Sequence, residues 1–220
     1  MEHVTTRSLR LPVSAGVELE GDLSLPDGAR GLVIFAHGSG SSRLSPRNRF
    51  VARGLNAKGL GTLLFDLLTP GEAADRANVF DIPLLGGRVE TAIRWVQAEA
   101  GLRELNIGLF GASTGAAAAL TAAAHMPDNV SAVVSRGGRP DLAGDALARV
   151  RAPVLLVVGG ADYVVIDLNK AAQARLTCIS QLEIVPGATH LFEEPGTLEQ
   201  VIERSSDWFC THLGCPASAA

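Results

Sequence analysis

Gly111-Ala112-Ser113-Thr114-Gly115 sets a hydroxyl between two glycines, directly after the apolar run Ile107 to Phe110 and before the alanine run Ala116 to Ala119. A strand that reverses into a helix within so few residues needs glycine for clearance and leaves the apex residue at the sheet end. Such a nucleophile elbow offers attack of the Ser113 oxygen on a carbonyl carbon, with the backbone N–H of the next residue, Thr114, facing the oxyanion that develops. A serine hydroxyl is a weak nucleophile near neutral pH, so it needs a base in hydrogen-bond reach and an acid to orient that base. Two later segments supply them. Val154 to Val158 runs into Gly159-Gly160-Ala161-Asp162, and Leu182 to Val185 runs into Pro186-Gly187-Ala188-Thr189-His190. Asp162 and His190 therefore both follow strands, at the carboxyl edge where open parallel sheets bind ligands. The chain order Ser113, Asp162, His190 is the one used with a GxSxG elbow.

Other residues compete for these roles. Asp141 follows the run Val130 to Val134 and is an alternative acid. His37 and His125 lack the late strand-end setting of His190 and are expected to be structural, while Asp66, after the run ending at Phe65, is expected to organise a turn or cap. Arg136 and Arg139 follow Val130 to Val134, and Arg43 and Arg47 follow the segment His37 to Gly40. Their position leads to the expectation that Arg136, helped by Arg43, recognises a carboxylate or phosphate on the substrate. The alternative is pairing with Asp141 or Asp66 in a surface network.

The elements that must position these residues follow from periodicity. Leu9, Leu11 and Val13, then Val17, Leu19, Leu23 and Leu25, alternate with polar residues around Ser14-Ala15-Gly16, which predicts an N-terminal hairpin. Beyond Pro26-Asp27-Gly28 the pattern becomes continuous apolar runs, at Leu32 to Ala36, Thr62 to Phe65, Ile107 to Phe110, Val130 to Val134 and Val154 to Val158, as central parallel strands require. Helical segments separate them. Ser45-Pro46 reads as an N-cap and first-turn proline, Val89, Ala92, Ile93, Val96 and Ala100 share a face, and Thr197 with Gln200 reads as a capping box before a helix that Gly214 stops. Alternating strands and helices predict an α/β fold, a mostly parallel sheet covered on both faces. Leu67 to Gly87 reads as an irregular wall of the site, and the short segment Arg136 to Ala152 leaves little or no room for a cap domain. A single domain over 1–214 is expected, with a loose tail at 215–220.

Composition narrows the function. The chain has 220 residues, 47% hydrophobic and 19% charged, which excludes a disordered polyelectrolyte. A net charge of −4 and 5% aromatic residues offer neither a phosphate track nor a base-stacking platform, so no nucleic-acid partner is expected. Leu105 to Pro127 lacks acidic and basic residues, yet its glycine cluster breaks it into a strand, a turn and a helix, so no membrane partner is expected either. The three cysteines, Cys178, Cys210 and Cys215, show no CxxC spacing, and an odd number argues against a disulfide framework. They read as thiols in a cytoplasmic protein without a metal site.

With His37-Gly38-Ser39-Gly40, Gly111-Ala112-Ser113-Thr114-Gly115, Gly160-Ala161-Asp162 and Gly187-Ala188-Thr189-His190 in this order, the chain resembles α/β-hydrolases of the dienelactone-hydrolase-like branch. It also resembles the hydrolase domains that occur fused to phosphoribosyltransferases. The resemblance implies the α/β-hydrolase fold and assigns the Ser39 backbone N–H, in the family's HGxG turn, to the oxyanion hole beside that of Thr114. The enzymes that name the dienelactone branch use a cysteine nucleophile, whereas this chain has Ser113, so their lactone is not carried over. The expectation is a serine hydrolase that cleaves a small ester, thioester or lactone through an acyl-enzyme, without a cofactor, on a small-molecule acyl substrate. Acyl transfer or perhydrolysis would use the same residues, and a non-catalytic binding or interaction domain on the same fold is the alternative of a different class.

Overall fold

A computed structural model of the chain describes residues 3–14 and 16–215. The elements run β1 (Val4–Ser14), β2 (Val17–Pro26), β3 (Gly31–Ala36), α1 (Pro46–Asn56), β4 (Gly61–Phe65), α2 (Pro70–Ala73), α3 (Arg76–Val79), α4 (Ile82–Ala98), β5 (Asn106–Ala112), α5 (Thr114–His125), β6 (Ala132–Arg136), a 3-10 segment (Pro140–Arg149), β7 (Val154–Gly159), α6 (Tyr163–Gln173), β8 (Ser180–Val185) and α7 (Thr197–Leu213). One eight-stranded sheet has the order β1-β2-β4-β3-β5-β6-β7-β8. β1 and β2 pair antiparallel, β2 joins β4 antiparallel, and every other neighbour is parallel. This is the expected mostly parallel sheet with an N-terminal antiparallel hairpin.

Side-chain alternation sorts the core into two layers. Leu32, Ile34 and Ala36 of β3 join the cluster that holds α4 and α5, whereas Val33 and Phe35 join the cluster that holds α1 and α7. Both faces are thus buried, which accounts for apolar runs in place of an alternating pattern. On β6, Ala132 and Val134 face α1 and α7, and Arg136, two residues on, continues that face.

Several boundaries differ from expectation. β6 begins at Ala132 and continues through Ser135 and Arg136. The expected strand ends with its last apolar residue, Val134, but the two polar residues that follow are buried and paired in register, Ser135 opposite Gly111 and Arg136 opposite Ala112. Leu67 to Gly87 is not irregular: it holds α2, α3 and the start of α4, each opened by a side-chain cap from Thr69, Asp75 or Asp81. Thr197 is the first residue of α7 and not its cap, because Gly196 takes that position in the left-handed region and the Thr197 hydroxyl donates to Glu194 O at 2.7 Å. Gly214 does end the helix, in the left-handed conformation.

The expectation of three thiols is corrected at the end of α7. Cys210 and Cys215 form a disulfide across the turn at Gly214, leaving Cys178 as the free thiol. A local bridge between residues five apart leaves one cysteine over, so an odd count did not exclude it. Parity therefore no longer argues for a reducing compartment. The expected tail lies outside the described residues beyond Cys215, and among the described residues no helix is long and apolar enough to cross a membrane.

Candidate active site

Ser113 sits between β5 and α5 with φ 51° and ψ −123°, a conformation a serine adopts only where its surroundings enforce it. The enforcement is steric and hydrogen bonded. A Cβ on Gly115 would overlap the carbonyl oxygens of Ala36 and His37, and one on Gly111 would stand 2.7 Å from Ala116 N. The Ser113 N–H donates to Arg136 O at 3.3 Å, and Ser113 O accepts from Arg139 N at 3.0 Å. The end of β6 and the turn after it thus hold the Ser113 backbone on both sides of its Cα.

Asp162 and His190 come together. His190 Nδ1 lies 2.7 Å from Asp162 Oδ2, and because a carboxylate only accepts, Nδ1 carries the proton of this bond, so that in the neutral ring the lone pair is on Nε2. Asp162 occupies the N-cap of α6 but makes no side-chain cap bond. A carboxylate at that position usually satisfies the helix amides; here it is turned to the imidazole. The two loops are laced together, with Gly160 N donating to Val185 O at 2.8 Å and Ala161 N to Ala188 O at 2.9 Å. Glu194 accepts from Thr189 N at 3.1 Å, and its hydrogen bonds with Thr189 hold its carboxyl below the usual range.

The link from His190 to Ser113 runs through the turn after β6. A Cβ on Gly137 would stand 3.0 Å from His190 O and 3.7 Å from His190 Nδ1, while Arg136 just before that glycine and Arg139 two residues after it hold the Ser113 backbone. Among the described residues no hydrogen bond joins Ser113 Oγ to the His190 ring. Catalytic hydrogen bonds are often formed only once substrate is bound.

In the turn from His37 to Gly40, Gly38 packs against Ser113, a Cβ there falling 2.9 Å from Ser113 Cβ. The Ser39 N–H donates to Thr114 Oγ1 at 2.9 Å. Sequence reasoning weighed only the amides of these residues, yet the Thr114 hydroxyl fastens the two segments to each other. No motif encodes this, since it depends on two residues 75 positions apart.

His37 is the other fastening. Its Nδ1 lies 3.0 Å from Gly38 O and its Nε2 accepts from Leu67 N at 3.0 Å, which requires the neutral ring protonated on Nδ1. Burial pushes its pKa down, against the Gly38 carbonyl and the Asp66 carboxylate, which favour the charged form. The unfolded chain therefore takes up this proton before the folded one does, so His37's contribution is complete above about pH 6.5 and is lost as pH falls through the lower folded pKa. Thermal unfolding of wild type and His37→Asn from pH 8 to pH 5 is expected to show the stability gap narrowing with acidification. A gap that widens would mean the ring is bound in its charged form.

Beside Ser39 and Thr114 opens a cavity of about 330 Å3, floored by Leu67, Leu68, Val79 and Leu85 and edged by the hydroxyls of Ser41 and Ser42. The expectation that the segment after Leu67 walls the site agrees with this lining. The single charged lining residue, Asp66, is paired: its carboxylate accepts from Arg43 N at 2.7 Å and Arg43 Nη1 at 2.6 Å.

Arg43 also contacts Glu20 and Asp22, so its guanidinium is committed to protein carboxylates and is not available to a substrate anion in the way expected. Arg136 is buried away from these partners, beside Asn48 and Phe192. Asp141 is held by both Arg139 Nε and Nη2, at 2.9 and 2.8 Å, and so is engaged elsewhere than at an imidazole. His125 pairs with Glu90 at 2.8 Å.

Residues 31–189 match the family model of the alpha/beta hydrolase fold. A protein described as a putative phosphoribosyl transferase from Mycobacterium tuberculosis (strain H37Rv) is 58% identical over 204 residues, covering 93% of this chain and 46% of that protein. The chain thus spans about half the length of the curated relatives it matches. Among solved structures, a dienelactone hydrolase from Anabaena variabilis is 50% identical, covers 96% of this chain and 99% of its own, and superposes with a TM-score of 0.92. Est1E from Butyrivibrio proteoclasticus shares the fold at 17% identity and a TM-score of 0.80, over 94% of this chain and 99% of its own.

Proposed function

The chain belongs to the alpha/beta hydrolase fold family, and from that premise we propose that it is a serine hydrolase of small, uncharged esters, thioesters or lactones. His190 Nε2 takes the Ser113 proton as Ser113 Oγ attacks the carbonyl carbon. The backbone N–H of Thr114 stabilises the tetrahedral oxyanion, joined by that of Ser39 once it gives up its bond to Thr114 Oγ1, an effect worth about 3 to 4 kcal/mol per donor in comparable sites. His190 then protonates the leaving group, and a water deprotonated by the same imidazole releases the acid from Ser113. Asp162 holds the ring in the tautomer that each step needs. The observation that carries this reading is the 2.7 Å contact of His190 with Asp162, at the same sheet edge as a serine held at φ 51°.

The uncharged acyl group follows from the cavity beside the oxyanion turn, where the floor is aliphatic and the lone carboxylate is already paired. Its volume of about 330 Å3 is near the lower end for ligand sites. The transferase description of the Mycobacterium tuberculosis relatives refers to proteins about twice this length; the proposal concerns the hydrolase-like segment.

A panel of p-nitrophenyl esters tests it. Wild type is expected to turn over acetate through hexanoate faster than succinate or other anionic acyl groups. Val79→Trp, which fills the cavity, is expected to lower kcat/KM for hexanoate at least ~10-fold while acetate changes little, since a few methylenes in an apolar pocket carry about 1 to 3 kcal/mol of discrimination. Absence of turnover on the whole panel, or equal losses on both chain lengths, would overturn the assignment.

A further inference from the structure

Among the described residues, Arg136 is a buried cation with no carboxylate in ion-pair reach. It is 7% exposed, its Nη2 donates to Asn48 Oδ1 at 3.3 Å, and among the described residues its Nε and Nη1 have no partner. The charged group that acts on it is another cation, Arg47, whose own guanidinium is paired with Glu193. Burial first and Arg47 second push its pKa down to about 10. An unpaired buried charge is costly, and an apolar side chain of similar length would serve packing better. Such a residue has to be understood from what it touches.

It touches the loop that carries the imidazole. Arg136 Cζ lies 5.9 Å from the ring centroid of Phe192, within cation–π range. Phe192, two residues beyond His190, is buried and has φ 56°, a conformation costing an aromatic residue on the order of 1 to 3 kcal/mol. Its N–H closes a turn onto Thr189 O at 3.2 Å, with His190 at the crest. The next residue along from Arg136, Gly137, stands against both, a Cβ there falling 3.0 Å from His190 O and 3.3 Å from Phe192 Cε2. The Arg136 carbonyl meanwhile accepts the Ser113 N–H. One residue therefore reaches the nucleophile through its backbone and the base's loop through its side chain.

We propose that Arg136 is a positioning residue, whose guanidinium clamps Phe192 in its strained turn and so fixes His190 opposite Ser113. This rests on the serine-hydrolase reading above. Displacing reacting groups by about 1 Å can cost on the order of 100-fold in rate. In the full chain, Arg136→Met is expected to lower kcat for p-nitrophenyl acetate 30- to 100-fold and to leave KM within about 3-fold, with Arg136→Lys, which keeps the cation over the ring, recovering most of the loss. Phe192→Leu is expected to reproduce the kcat defect, and it carries the test if Arg136→Met does not fold by circular dichroism.

Wild type and Ser113→Ala are assayed alongside. An inactive wild type, or an equally active Ser113→Ala, sinks the hydrolase reading and the inference with it. With wild type active, unchanged kcat in a folded Arg136→Met, or in Phe192→Leu where that variant carries the test, overturns the inference alone. So does failure of Arg136→Lys to rescue. A defect confined to KM for anionic esters also overturns it, by making Arg136 a substrate-binding residue.

Discussion

Ser113→Ala is expected to lower kcat for a small activated ester on the order of 10^6-fold, His190→Gln about as much, and the double variant no further than either alone. In the proposed mechanism hydroxyl and imidazole act in one proton-coupled step, so removing either disables the other. Asp162→Asn is expected to cost less, about 10^4-fold, because Ser113, Nε2 and the oxyanion amides all remain while the ring loses its preferred tautomer. That ranking is specific to an acid engaged solely with the imidazole, and Asp162 spends no side-chain bond on capping its own helix. Asp141→Asn serves as the control, since its carboxylate is held by Arg139; a loss comparable to that of Asp162→Asn would reassign the acid.

Gly115→Ala is expected to give the largest structural effect of any single methyl. The added carbon has no space, meeting the backbone oxygens of Ala36 and His37 on one side with α5 packed behind it. Backbone atoms at the end of a central strand cannot move aside as a flexible side chain can. Relief would need β3 and α5 to separate, and both are buried in the core. Overpacking of this kind costs about 1 to 3 kcal/mol where side chains can adjust, and more is expected here, enough to lower the melting temperature by more than about 5 °C for a chain of this size. Whatever folds is expected to have lost activity beyond what stability explains, because the same methyl pushes the oxyanion turn from Ser113. Circular dichroism with an ester assay at low temperature checks both parts, and an unchanged melting temperature would contradict the close approach. Gly87→Ala on α4, where a Cβ meets nothing within 4 Å, is the matching control.

The elbow was readable from the chain because its requirement is local: glycines on either side of a serine, at a strand-to-helix reversal, leave a signature whatever surrounds them. Asp162 and His190 were readable for a related reason, each lying a few residues past an apolar run. What escaped depended on distant partners. Ser135 and Arg136 look like the start of a loop until their burial in register with β5 is seen. The Thr114 hydroxyl bond to Ser39 joins residues no spacing rule connects. Phe192 gives no sign in the sequence of its positive φ, since a bulky residue is an outlier there. Arg43 and Arg136 were grouped by proximity to one sheet edge, but side-chain direction separates them, one to a set of carboxylates and the other to an aromatic ring.

The central claim is that Ser113 is a nucleophile activated by His190. Incubation with a fluorophosphonate, followed by proteolysis and mass analysis of the peptides, measures it directly. The account predicts one adduct on Ser113 in wild type, none in Ser113→Ala, and labelling slowed by at least ~100-fold in His190→Gln. An unlabelled wild type, or an adduct that survives in Ser113→Ala, would contradict it.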